Sequence, residues 1–257
     1  MQKISTKTKI VCTLSNERTD EKLMRELIKS GMNVIRMNFS HMSKSAADEI
    51  IKNVVKLRNE LKTPIAIMLD TKGPEVRIYG YDKPVVLKKD DLITIQSYNE
   101  DDIETKVTEK EKYFYTNLAN IGKYTKQGSK ILLMDGYIEG KIVEKENDRI
   151  IVDIKNGGEI RLRAHLSIPN IDYPVQFLSP KDIEDITYAV NNELDYIALS
   201  FVRSAEDISK VKNLIRGIKE DSDIKLIAKL ENKQAVNNID DIIHHSHGIM
   251  VARGDLG

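Results

Sequence analysis

Two patterns of apolar and polar residues alternate along residues 1–72. Short, nearly unbroken apolar runs at 9–14, 34–39 and 65–69 have the length of buried strands. Between them, apolar residues take helical spacing: Leu23, Met24, Leu27 and Ile28 ahead of Gly31, a natural helix stop, and then Ile50, Ile51, Val54, Val55 and Leu61. Strands that are apolar throughout are covered on both faces, so this stretch predicts a parallel sheet flanked by helices. From about 73 to 170 the helical spacing is lost. Short β-rich runs replace it at 85–87, 92–95, 130–134, 138–143, 150–154 and 159–162, with turn residues such as Asn147-Asp148 and Asn156-Gly157-Gly158 between them. An inserted antiparallel β domain of roughly 95 residues is expected there, within the usual domain range.

The strand and helix alternation resumes at Ser179-Pro180-Lys181-Asp182, which offers an N-cap serine, proline at the first helical position and an acid at the third. Ser204-Ala205-Glu206-Asp207 repeats the box before Ile208, Val211, Leu214, Ile215 and Ile218. Strands are predicted at 196–202, 225–230 and 248–252. Six such units fit an α/β fold of the (β/α)8 TIM-barrel type that is incomplete, six of eight units, with a β-barrel domain inserted. The expected division is barrel over 1–72, insertion over 73–170 and barrel again over 171–257.

Composition narrows the function. Lys and Arg total 40 and Asp and Glu total 40. A chain without basic excess is a poor candidate for a nucleic-acid binder. Cys12 is the only cysteine, which excludes an internal disulfide framework and suits a reducing cytoplasm. No apolar run approaches the roughly 20 residues of a membrane span, and residues 1–9 lack the apolar centre of a signal peptide. A soluble, cytoplasmic protein is expected.

In such barrels the working residues collect at the C-terminal ends of the strands. Those ends read Arg36-Met37-Asn38-Phe39-Ser40-His41, Asp70-Thr71-Lys72-Gly73-Pro74-Glu75-Val76-Arg77, Ser200-Phe201-Val202-Arg203, Lys229-Leu230-Glu231-Asn232 and Arg253-Gly254-Asp255. Glu231 and Asp255 suit one hard cation, Mg2+ or Mn2+, although acids at such positions also cap helices. Lys229, two residues before Glu231, points to the same side of its strand and suits charge on a transferring phosphoryl group. Asn38, Ser40, Asp70 and Thr71 are oxygen donors from adjacent strand ends, or caps of the next helix. Arg36 and Arg77 fit either a bidentate clamp on phosphate or a structural ion pair. His244, His245 and His247 are expected in a solvated turn, and Cys12 in the core.

The runs Lys7-Thr8-Lys9-Ile10-Val11-Cys12-Thr13, Gly31-Met32-Asn33-Val34-Ile35-Arg36-Met37-Asn38-Phe39-Ser40-His41, Lys229-Leu230-Glu231-Asn232 and Gly248-Ile249-Met250-Val251-Ala252-Arg253-Gly254-Asp255-Leu256-Gly257 closely resemble the pyruvate kinase family, as does 69–77. The resemblance implies phosphoryl transfer from phosphoenolpyruvate to ADP, giving pyruvate and ATP, across a cleft beneath a mobile lid. It implies Mg2+ on Glu231 and Asp255, and K+ on Asn38, Ser40, Asp70 and the Thr71 carbonyl, with Glu75 matching the residue that accompanies potassium dependence. Lys229 would stabilise the phosphoryl group, and Arg36 would face it. Gly254 and Asp255 would also contact substrate, while Arg36, His41 and Arg77 would serve the nucleotide. A homo-oligomer is implied for the full-length form. Departures from the family pattern fall at Thr13-Leu14-Ser15-Asn16-Glu17-Arg18, at Met42 in place of glycine, at Met134-Asp135-Gly136 and at Ala164-His165-Leu166-Ser167-Ile168-Pro169. Met42 is expected to add bulk near the nucleotide, and Arg163 to stand in for a missing lysine. These departures leave room for two other readings: a paralogue with another nucleotide or acceptor, and a non-catalytic binding module.

Overall fold

The computed structural model describes residues 7–98, 112–169 and 176–256, apart from the Asp255 side chain. The chain divides into two compact units: Met1–Gly73 with Phe177–Ala252, and Pro74–Gln176 with Arg253–Gly257.

The first unit is built on six parallel strands: β1 (Ile10–Leu14), β2 (Met32–Asn38), β3 (Ala66–Asp70), β4 (Tyr196–Leu199), β5 (Lys225–Leu230) and β6 (Gly248–Val251). They lie side by side in chain order. Doubly wound sheets reverse their order at a switch point. Unreversed order with right-handed crossovers keeps every helix on one face, which is how a β/α barrel is wound. The helices are α1 (Glu21–Lys29), α2 (Lys44–Leu61), α3 (Pro180–Asn191), α4 (Ala205–Ile218), α5 (Lys233–Asn237) and α6 (Ile239–His245).

Strand alternation decides which side chains meet the helices. Ile35 and Met37, Ile67 and Leu69, Ile197 and Leu199, and Ala228 and Leu230 join one apolar core with Met24, Ile50, Val54 and Leu57. Each fully buried Leu or Ile contributes about 1.5–3 kcal/mol. The residues between them, including Arg36, Asn38, Asp70 and Lys229, face the other way by the same period of two. The central strand β3 is buried almost throughout, whereas the end strands expose Ile10, Val11, Ile249 and Val251. Cys12, expected in the core, is half-buried because β1 is an end strand.

Helix boundaries show how the caps act. Ser179 and Asp182 form the expected capping box at α3, and the second Asp182 oxygen accepts from the Gly73 amide at 3.0 Å. Ser204 occupies the N-cap position of α4 but makes no side-chain cap bond; Asp207 instead reaches back to the Arg203 amide at 3.1 Å and to its guanidinium. On α2 the expected Val55 faces solvent, because Ile50, Val54 and Leu57 define the inward stripe. Strand β4 ends at Leu199, short of the predicted 202, because the chain turns at Phe201 with φ of 56°.

The second unit holds a seven-stranded sheet in the order Leu166–Ser167, Lys130–Leu133, Ile138–Lys145, Arg149–Ile154, Leu92–Ser97, Tyr113–Thr116 and Ile78–Tyr79. Its pairs are antiparallel except that Leu92–Ser97 and Tyr113–Thr116 run parallel, so the expectation of a purely antiparallel domain is corrected. The two ends of this order are also joined. Arg77 and His165 form an antiparallel bridge, with Ile78 N–H to Ala164 O at 2.9 Å and Leu166 N–H to Val76 O at 2.8 Å. Val85–Leu87 and Gly158–Ile160 make a separate two-stranded ribbon. A core of its own fills the unit, with Ile93, Ile95, Phe114, Ile131, Ile142 and Val152 fully or almost fully buried.

Candidate active site

The polar face of the first unit is organised around Lys229. Parallel register sets Asn38 beside Asp70, Asp70 beside Ala198, and Leu199 beside Ala228. The next step along β4 and β5 therefore brings Ser200 next to Lys229. The Lys229 ammonium lies 2.8 Å from Glu231 Oε1, 3.2 Å from Asp70 Oδ1 and 2.7 Å from Ser200 Oγ. All four residues are buried. Burial pulls the lysine toward neutrality, but the Asp70 and Glu231 carboxylates outweigh it and raise its pKa above the ordinary value. The ammonium stays charged at neutral pH.

Asp70 is shared. Arg36 donates to its other oxygen through Nε at 2.6 Å, with Nη2 in ion-pair contact at 2.5 Å, and donates to Thr13 Oγ1 through Nη1 at 2.9 Å. Two cations and two carboxylates thus form a charge-balanced cluster at the strand ends. Such a cluster is weak evidence for stability, since apolar packing of similar volume often does as well. Its concentration at the rim where barrel chemistry occurs is evidence for a site.

The turn after β4 supplies two further groups to the cluster. Ser200 donates to the Thr71 carbonyl at 2.7 Å, and the Phe201 amide donates to Glu231 Oε2 at 2.7 Å. The left-handed Phe201 backbone turns that amide toward the carboxylate. The alternation that pairs Lys229 with Glu231 also selects Ser200, and that was the available signal. Phe201 offered none, because an amide direction leaves no trace in residue type.

The other expected residues are placed as follows. Asn38 ends β2, and its side-chain oxygen accepts from the Ser40 amide at 3.1 Å. Thr71 continues β3, with its amide bonded to Ala198 O and its hydroxyl accepting from the Ser200 amide at 3.1 Å. Asp70, Thr71, Asn38 and Ser40 are all oxygen donors, a set whose chemistry suits a hard cation. His41 is exposed, and its carbonyl accepts from Asn16 at 2.7 Å. Arg77 belongs to the second unit and forms the ion pair that was one of its two readings: it binds Glu75 at 2.6 Å and donates to Arg163 O at 2.7 Å. Gly254 lies in the short turn Arg253–Leu256, also of the second unit, and the Asp255 side chain lies outside the described residues. Among the described residues no three His, Cys, Asp or Glu side chains gather as a metal-ligand set.

The three histidines are not equivalent. His244 and His245 are exposed and bond the carbonyls four residues earlier. His247 has a defined partner, accepting from the Leu226 amide through Nδ1 at 3.0 Å. That bond corrects the expectation of a turn without ordered partners, and it follows from the β5–β6 pairing that begins there.

The family model described as pyruvate kinase, barrel domain, matches residues 5–257. The chain belongs to the pyruvate kinase family. Relatives include the pyruvate kinase of Borreliella burgdorferi, 38% identical over 99% of this chain and 50% of that protein, and the pyruvate kinase of Chlamydia muridarum, 36% identical over 98% and 51%. A crystal structure of a pyruvate kinase from Cryptosporidium parvum superposes with a TM-score of 0.87 at 31% identity, covering 97% of this chain and 51% of that one. The chain spans about half the length of the relatives it matches. Departures from the family pattern take on physical content here. Met42 is buried in the apolar core, so its bulk is absorbed by packing rather than presented to a ligand, contrary to expectation. Asn16 ties down the 41–43 loop by donating to His41 O and accepting from the Ser43 amide at 2.8 Å. His165 Nδ1 lies 3.2 Å from Asp135 Oδ1, so a departure in the 164–169 run meets the residue that follows Met134. Among the described residues no helix is long and apolar enough to cross a membrane.

Proposed function

We propose that the full-length protein transfers a phosphoryl group between phosphoenolpyruvate and ADP, yielding pyruvate and ATP, in the cytoplasm and as a homo-oligomer. The observation that carries this reading is the buried Lys229 ammonium held between Glu231, Asp70 and Ser200 at the strand-end rim. A fixed positive charge aimed at a transferring phosphoryl group stabilises negative charge without reorganising during the reaction. Glu231 and Asp255 would hold Mg2+ or Mn2+, which supplies further neutralisation of phosphate charge. Asn38, Ser40, Asp70 and the Thr71 carbonyl would hold K+. Arg36, fixed by Asp70 and Thr13, offers a guanidinium to the phosphoryl oxygens. His41, Arg77 and Gly254 complete the proposed contacts to nucleotide and substrate, and the second unit would serve as the lid.

The test is to supply the full-length protein with phosphoenolpyruvate, Mg2+ and K+, and to follow pyruvate release with ADP and with a panel of other acceptors. Release with ADP supports the reading. Asn16 and His165 lie at departures from the family pattern and favour a second reading in which another acceptor replaces ADP. Release only with that acceptor would select it. Phosphoenolpyruvate binding without release under any condition would leave a binding module.

A further inference from the structure

We infer that Ser200 is a positioning residue for the proposed phosphoryl-transfer lysine, the neutral anchor that keeps Lys229 in place when cations occupy the carboxylates beside it. The inference rests on the proposed function but concerns a residue to which that function gives no contact with substrate, nucleotide or cation. An ammonium has three protons, and Lys229 donates one to Ser200 Oγ at 2.7 Å, while Glu231 Oε1 at 2.8 Å and Asp70 Oδ1 at 3.2 Å stand in ion-pair contact with it. Two of these acceptors are acids assigned to cation sites. A cation on Glu231, or one shared by Asp70 and the Thr71 carbonyl, competes for the same oxygens and repels the ammonium. The serine hydroxyl is the remaining acceptor, and it carries no charge for a cation to neutralise.

The hydroxyl is itself oriented. It has a single proton and two acceptors within reach, Thr71 O at 2.7 Å and Asp70 Oδ1 at 3.2 Å. The shorter contact takes the proton, which leaves an oxygen lone pair for Lys229. The Ser200 amide is bonded in turn to Thr71 Oγ1 at 3.1 Å, so backbone and side chain are fixed by the same residue. With 3% of its surface exposed, Ser200 offers water no easy route to replace the contact. An apolar residue here would leave one ammonium proton without a partner in a buried site.

Ser200→Ala in the full-length protein tests this. With Mg2+ and K+ present, kcat should fall roughly 10- to 100-fold while KM for phosphoenolpyruvate changes little, the pattern of a misplaced group rather than lost binding. Ser200→Cys, close in shape but a weak acceptor, should fall between the two and covers the case in which the alanine variant does not fold. In a Lys229→Arg background Ser200→Ala should add little further loss, because the residue it positions is already changed. A second readout needs no turnover: reductive methylation of Lys229 by formaldehyde and cyanoborohydride, followed by mass spectrometry. Lys229 should be labelled several-fold faster in Ser200→Ala than in wild type with Mg2+ and K+ added, with other lysines unchanged. Wild-type kcat in Ser200→Ala, an equal loss in both backgrounds, or unchanged labelling would overturn the inference. If the wild type turns over no acceptor, the proposed function falls, and the labelling comparison still decides whether Ser200 anchors Lys229.

Discussion

Lys229 has two jobs that one substitution separates. It supplies positive charge at the proposed site, and it compensates the buried carboxylates of Asp70 and Glu231. Lys229→Met keeps an unbranched side chain one atom shorter and removes the charge. Turnover should drop by roughly 10²- to 10³-fold or more, the scale of losing one stabilising donor at the reacting centre. Stability should fall as well, because breaking a buried pair leaves uncompensated charge at a cost of about 3–5 kcal/mol. Urea unfolding with and without Mg2+ and K+ checks this: cations should restore part of the loss by replacing the missing charge. Unchanged turnover would remove the lysine from the mechanism. Gly73 shows the same precision in the backbone. Its φ is 69°, and a Cβ added there would lie 2.8 Å from Ser200 Cβ and 3.0 Å from both Ser200 O and the Phe201 ring. Gly73→Ala should destabilise by more than the roughly 1 kcal/mol of an ordinary glycine replacement, and should reduce activity through Ser200. A thermal melt alongside kcat measures both. At this scale the sequence was partly legible. The i, i+2 spacing put Lys229 and Glu231 on one side of a strand, but the partnership with Asp70 depends on register across β3, β4 and β5, which no local pattern encodes.

Elements were legible where their burial is continuous. The apolar runs of β2, β3 and β5 and the stripes of α1 and α4 announce themselves because a covered sheet and an amphipathic helix each leave a period. Ile78–Tyr79, Tyr113–Thr116 and Leu166–Ser167 escaped notice, since two to four residues are too few to establish one. The parallel pairing of Leu92–Ser97 with Tyr113–Thr116 was equally hidden, because strand direction is a property of the pair. His247 ties two elements together. Its ring accepts from the Leu226 amide near the start of β5, and partial desolvation of this otherwise exposed side chain, together with nearby Lys225 and Lys212, lowers its pKa below the ordinary value. A histidine with a lowered folded pKa binds its proton more readily when unfolded, so stability is lost as pH falls from about 6.5 toward the folded pKa. Wild type should therefore lose denaturant stability between pH 7.5 and 5.5 relative to His247→Gln, whose amide oxygen can accept the same bond without titrating. Parallel curves for the two proteins across that range would show that the ring carries no pH-dependent load.

The whole chain is organised by two separate cores, and that separation is itself testable. The loss of helical spacing over 73–170, with short β-rich runs in its place, is a signal any reader of the sequence can use, but where the chain passes between units depends on contacts, at 73/74, 176/177 and 252/253. In the second unit the sheet order runs from Leu166–Ser167 to Ile78–Tyr79, and the Arg77–His165 bridge joins those ends. A sheet whose ends pair with each other leaves few unpaired edge groups to recruit another chain. Its core buries Ile78, Ile93, Ile95, Phe114, Ile121, Ile131, Leu133, Ile150, Val152 and Ile160 to zero exposure without borrowing from the first unit's cluster. A segment of roughly 100 residues with one core lies in the range where independent folding is usual. Pro74–Gln176 expressed alone should thus give a monomeric species with β-type circular dichroism and a single cooperative melt. A molten, dye-binding species without a cooperative transition would mean that the core is completed from outside, and the two-core description would then fail.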